Sequence, residues 1–204
     1  MYIPPHFAEH RPEILHQAIR RTGLANLVTA TAEGLQASPL PLMLDAEDGA
    51  HGTLYGHLAR ANPQWRTPPL HDALAIFMGP DAYVSPSWYE TKRETHKVVP
   101  TWNYITVHAS GPIAFFEDAT ELLDVVTRLT NLHETPRATP WAVSDAPPDF
   151  IRGQLKGIVG FRLPIHAIQG KWKRSQNRPP ADREGVAAGL QADGNPFAAL
   201  IPTT

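Results

Sequence analysis

The sequence predicts a mainly β fold, a small and mostly antiparallel barrel with helices flanking it. Three observations predict it. Proline is frequent, 21 in 204 residues, and spread along the chain; usual usage is roughly 5 %. It can neither donate to a sheet ladder nor sit inside a helix, so elements must be short and interrupted. Near the N-terminus, strand-like runs are joined by short turns, as in an antiparallel meander. Regular alternation of strands and helices is missing, which argues against a doubly wound parallel sheet.

Each element has its own signal. Residues 11–21 read as a helix, with Pro12 in the first turn, an apolar stripe of Ile14, Leu15, Ala18 and Ile19, and Gly23 as the stop. Residues 25–31 alternate as a strand, Glu33-Gly34 turns the chain, and residues 35–44 return. Pro39 and Pro41 make that second strand an edge or bulged strand. Asp48-Gly49 signals another turn before a third strand at 52–58. Residues 73–78 form a buried-type strand ended by Gly79-Pro80, residues 81–89 are extended and aromatic, and residues 98–111 form a long strand continued at 112–116. Asp118 caps the clearest helix, which places Leu122, Leu123, Val125, Val126, Leu129 and Leu132 on one face. Residues 147–155 make a shorter helix and residues 158–168 a final strand. Residues 1–178 are thus one domain. Residues 179–204, rich in Ala, Gly and Asp and without period, are expected to be a loosely attached extension.

Composition removes several classes of function. The chain has no cysteine, which excludes disulfides, thiolate nucleophiles, iron–sulfur clusters and Cys-ligated zinc. Lys+Arg 18 against Asp+Glu 20 gives a net charge of −2, so the basic excess of a nucleic-acid-binding domain is missing and direct DNA binding is disfavoured. No apolar run approaches the ~18 residues of a membrane span. The N-terminal residues lack a basic and an apolar signal region, so a cytoplasmic protein is expected. The ten histidines show no zinc-peptidase spacing, and no metal site is assigned. Neither a Gly-x-Ser-x-Gly elbow nor a phosphate loop with Gly-Lys is present. No residue declares itself as acid, base or nucleophile.

Three segments could carry chemistry. His57, Leu58, Ala59, Arg60 and Asn62 follow a strand directly and are closed by Pro63. Such a turn presents backbone N–H groups beside a guanidinium, which suits a phosphate; a solvated turn with an exposed Arg fits the same residues. Residues 170–178 hold Lys171, Trp172, Lys173, Arg174, Ser175, Gln176, Asn177 and Arg178, four cations and no acid. They read either as a basic surface loop or as a polar clamp for an anion. The aromatic runs at 83–89 and 100–104, including Trp88, Tyr89, Trp102 and Tyr104, could be core or could wall a flat aromatic cofactor.

With these segments quoted, the sequence resembles the PaiB family of FMN-binding proteins, described as negative transcriptional regulators. The resemblance rests on Met1-Tyr2-x-Pro4, Gly56-His57-Leu58-Ala59-Arg60-Ala61-Asn62-Pro63-x-Trp65, Phe77-x-Gly79-Pro80-x-Ala82-Tyr83-Val84-Ser85-Pro86-Ser87-Trp88-Tyr89, Val98-Val99-Pro100-Thr101-Trp102-Asn103-Tyr104 and Ser175-Gln176-Asn177-Arg178. Arg174 departs from the family, which usually has Leu there. The resemblance implies an FMN-binding split β-barrel, similar to pyridoxamine-phosphate oxidase, and a homodimer with FMN at the subunit interface. It makes the Arg60 loop the FMN-phosphate site, with His57, Leu58, Ala59 and Asn62. Trp102, Lys173, Ser175, Gln176 and Asn177 become further cofactor contacts, the 173–177 segment reaching FMN from the partner subunit. The role implied is regulatory or flavin-dependent redox, an FMN-dependent oxidoreductase if an enzyme, with a regulatory protein or metabolite as partner. A haem-binding or haem-handling barrel is the alternative.

Overall fold

The computed structural model describes residues 1–203. Among the described residues ten strands form: β1 (Ala8–Glu9), β2 (Leu24–Thr31), β3 (Gly34–Pro41), β4 (Met43–Asp45), β5 (Thr53–Ala59), β6 (Ala73–Val84), β7 (Thr101–Gly111), β8 (Ala114–Phe116), β9 (Ile158–Pro164) and β10 (Ala167–Lys173). Five α-helices accompany them: α1 (Pro12–Thr22), α2 (Glu90–Thr95), α3 (Ala119–Glu134), α4 (Pro148–Leu155) and α5 (Pro180–Ala192). The chain divides into two units. The first comprises Met1–Ala18, Met78–Val107 and Gln169–Thr204, the second Ile19–Phe77 and His108–Ile168.

The second unit contains only the first hairpin of the expected three-strand meander, because its third strand, β5, lies in a different sheet from β2 and β3. β2 and β3 pair antiparallel from Leu24↔Pro41 to Thr31↔Gly34, and β2 also pairs with β6 at Asn26↔Ile76. A separate sheet runs β4-β5-β9-β8. The run read as one strand over 35–44 is therefore two strands in different sheets. Pro41 ends the first, and the Leu42 amide donates to the Gly23 carbonyl at 2.8 Å. Gly56 lies where a Cβ would stand 2.7 Å from Leu42 and 2.9 Å from Phe161, so only glycine lets these layers meet. Asp118 caps α3 as expected, accepting from the amides of Thr120 and Glu121 at 2.9 and 3.0 Å. The helix buries Leu122, Val125 and Leu129, the last two against Met43. Leu123 and Leu132 stay exposed, so the stripe is narrower than its pattern predicts.

In the first unit the strand order is β1-β10-β7-β6. β6 does not stop at Gly79-Pro80 but continues to Val84; a Cβ at Gly79 would meet the Ile105 carbonyl at 3.1 Å. The strand read over 158–168 breaks after Pro164, and β10 carries Lys171, Trp172 and Lys173 on a strand rather than in a loop. The largest correction concerns residues 179–204. They form α5 and a 3-10 turn at Pro196–Leu200, and bury Val186, Leu190, Phe197 and Ile201 against Ala82, Val84 and Tyr89. Residues 179–203, the described part of that segment, thus belong to a core and are not a loose extension. Among the described residues no helix is long and apolar enough to cross a membrane.

Candidate functional site

The second unit holds the first group of candidates, at the end of β5. Antiparallel pairing sets His57 opposite Gly160 and Ala59 opposite Ile158. Leu58 is fully buried and belongs to the core. His57 is half-buried, its Nδ1 has no hydrogen-bond partner, and burial holds its pKa below the ordinary value. Arg60 is committed on every side. Its amide donates to the Gly157 carbonyl at 2.8 Å, Nε to the Lys156 carbonyl at 2.7 Å and Nη2 to the Ile158 carbonyl at 3.1 Å. Its Nη1 pairs with the Glu117 carboxylate. The guanidinium therefore ties the turn before β9 to β5, and only its Glu117 face can be exchanged for another anion. Asn62 caps the following 3-10 turn: Oδ1 accepts from the Gln64 amide at 2.9 Å, and Nδ2 donates to Ser38 Oγ at 2.8 Å. Buried Gln64 continues this network through Ser38 Oγ, the Leu27 carbonyl and Thr29 Oγ1.

The first unit holds the second group. Lys173 Nζ donates to the Trp102 carbonyl at 2.5 Å and to Thr101 Oγ1. Burial first, then the charges of Lys171 and Arg178, push its pKa below the ordinary lysine value. Ser175 takes the left-handed backbone conformation, φ 62°, and its Oγ accepts from Asn103 Nδ2 at 2.8 Å. Gln176 braces the turn: Oε1 accepts from the Arg174 amide at 2.7 Å and Nε2 donates to the His6 carbonyl at 3.0 Å. Asn177 is exposed. Lys171 is buried near the rings of Tyr2 and Tyr104, 5.7 and 5.2 Å from their centroids. Trp102 presents an open ring, 52 % exposed, and meets Tyr83 edge to face at 6.0 Å.

Four buried side-chain polar atoms in this first unit have no hydrogen-bond partner, Tyr89 Oη, Asn103 Oδ1, Arg174 Nε and Arg183 Nε, and Asn103 and Arg174 are the two beside the Trp102 and Lys173–Asn177 residues. An unpaired buried acceptor or donor is costly, so each of these atoms calls for a partner that the fold itself does not supply. Cations without an acid, an open aromatic face and orphaned polar atoms suit a flavin and its anionic portion. Asn103 and Glu117 were not among the sequence candidates. Asn103 sits inside the quoted Pro100-Thr101-Trp102-Asn103-Tyr104 motif and was legible there. Glu117 gave no signal, since 57 residues separate it from Arg60. Among the described residues no three His, Asp or Glu side chains gather as a metal site.

Known proteins resemble this chain in sequence and in fold. Residues 1–167 match the family model described as "Putative FMN-binding domain". The chain is 36 % identical over 199 residues to the "Protease synthase and sporulation protein PAI 2" of Bacillus subtilis, covering 97 % of this chain and 93 % of that protein. It is also 37 % identical over 227 residues to an uncharacterized protein of Emericella nidulans, covering 94 % and 90 %. Among solved structures, the flavocytochrome Anf3 of Azotobacter vinelandii superposes with TM-score 0.59 at 12 % identity, over 84 % of this chain and 72 % of that one. The conserved hypothetical protein Rv2991 of Mycobacterium tuberculosis gives TM-score 0.58 at 11 % identity, over 88 % and 94 %. These likenesses show the fold, and the mainly β, split-barrel class expected from the sequence stands. The chain belongs to the PaiB-like family of FMN-binding proteins, and its cofactor is FMN.

Proposed function

We propose that the protein works as a homodimer in which bound FMN performs redox or flavin-sensing chemistry, and that any effect on transcription passes through a protein or metabolite partner. The observation behind it is the acid-free cationic turn beside an open Trp102 ring in a chain of an FMN-binding family. FMN, when bound, supplies the electron transfer. The chain's residues bind and orient it. Lys173, Ser175, Gln176 and Asn177, with Trp102, are assigned to the FMN of the partner copy. Arg60 is assigned to the phosphate, which exchanges for Glu117 on the guanidinium; His57, Leu58, Ala59 and Asn62 shape that turn.

The test is a flavin fluorescence titration beside an absorption spectrum. Arg60→Ala is expected to weaken FMN about ten- to a hundredfold, the loss of a charge-assisted contact of about 1.5–3 kcal/mol. Riboflavin, without a phosphate, is expected to change little. Glu117→Gln is expected to tighten FMN and leave riboflavin alone, because the competing carboxylate is gone. If neither variant alters FMN binding, the phosphate lies at the 173–177 turn instead. A Soret band in place of flavin bands would support the haem-binding alternative.

A further inference from the structure

The second unit also contains an apolar cleft that the flavin reading does not use. It lies between α3, the 3-10 turn at Val143–Asp145 and α4, and has a volume of about 600 Å³. Leu123, on the stripe that α3 leaves uncovered, faces Val143, Pro148, Ile151 and Leu155 across it. Apolar walls left open to water mark binding surfaces more often than chance. The size falls within the roughly 300–1,000 Å³ of small-molecule sites.

We propose that this cleft binds an organic anion with an apolar body and one acidic head group, and that Arg152 holds the head. Arg152 lines the cleft, and its guanidinium pairs only with Asp149 on the same helix. Both side chains of that pair are largely exposed, 67 % and 87 %, and exposed pairs contribute little and exchange readily. Arg152 and Leu155 also line a smaller adjoining cleft with Arg60, Lys156 and Glu117. Arg60 is neutralised by Glu117, which leaves Arg152 and Lys156 against Asp149, one positive charge in excess at this end. A cationic ligand would meet that excess, and a neutral one would leave Arg152 unused. A ligand carboxylate can take the place of Asp149 on the Arg152 guanidinium while its apolar body covers Leu123, Ile151 and Leu155. The head group is taken as single because Arg152 is the one charged residue among those lining the larger cleft.

Decanoate, with decanol as its uncharged analogue, is the probe, titrated by calorimetry into the FMN-loaded protein. Decanoate is expected to bind roughly tenfold or more tightly than decanol, a difference of ~1.4 kcal/mol. Arg152→Ala is expected to bring decanoate down to the level of decanol and leave decanol unchanged. Ser144→Trp, at an exposed lining position, is expected to abolish both with the circular dichroism spectrum intact. FMN is expected to stay bound throughout, which separates this site from the flavin site. Absence of decanoate binding, indifference to Arg152→Ala, or release of FMN in step with decanoate uptake would each overturn the proposal.

Discussion

At the scale of single residues, the acid limb of stability rests on groups whose charged or neutral form the fold selects. Burial holds the His57 and His108 imidazoles below their ordinary 6.5. The unfolded chain therefore takes up protons at a higher pH than the folded one. The stability these residues add is present above 6.5 and is lost as pH falls through their folded values. Glu9 acts at lower pH. Its hydrogen bond from the Arg11 side chain brings its pKa from 4.5 to about 2, so its contribution is present above 4.5 and disappears as pH falls through about 2. Guanidinium midpoints are expected to decline in two stages on acidification, the first beginning near pH 6.5. His57→Gln is expected to flatten the first stage and Glu9→Gln the second. A pH profile that neither substitution changes would show that other groups set the acid limb.

At the scale of elements, α5 shows how a helix can hide in a sequence. Its face is built from small residues because Trp88 fills the space beside it. A Cβ at Gly185 would stand 1.9 Å from the Trp88 carbonyl oxygen, and one at Gly189 2.3 Å from the Trp88 ring. An Ala- and Gly-rich segment looks unstructured by period alone, whereas here the missing side chains are the packing. Gly185→Ala is expected to destabilise by about 1–3 kcal/mol, as overpacking does, measured by urea denaturation. Gly153→Ala in α4, where nothing lies within 4 Å of the new Cβ, is the control; it is expected to be neutral or to stabilise by about 0.5–1 kcal/mol. Removing the residues after Arg178 is expected to uncover Ala82, Val84 and Tyr89 and to open the first unit to limited proteolysis.

At the scale of the whole molecule, the first unit leaves Tyr2, Met78, Tyr83, Val99 and Trp102 exposed. Large apolar and aromatic side chains of this kind suit an interface with a second copy. Sedimentation at micromolar concentration is expected to give a dimer, and Trp102→Asp a monomer with unchanged secondary structure. A monomeric wild type would count against the dimer. With a net charge of −2, the protein is expected not to retain duplex DNA at physiological salt. A promoter fragment bound there with a steep salt slope would show direct contact with phosphates.

What the sequence determined by itself was whatever depends on neighbours along the chain. The hairpin of β2 and β3 follows from alternation and the Glu33-Gly34 turn, though not the third strand of a meander, which joined another sheet; α3 follows from its Asp118 cap and apolar period, and the FMN family from ordered motifs such as Gly56 to Trp65. Proline positions were legible too, but not their consequences. Pro41 and Pro164 each divide a single apolar run into strands with different partners, because pairing is chosen by hydrogen bonds that close across the sheet. The tertiary structure alone decided the fate of the charges. Arg60 reads as a free cation until folding brings Glu117 and two carbonyls to it, and Asn103 reads as one polar residue in an aromatic run until Ser175 meets it. Ion pairs and buried hydrogen bonds depend on distances in space, so residues 57 or 72 positions apart leave no periodic trace for a sequence to show.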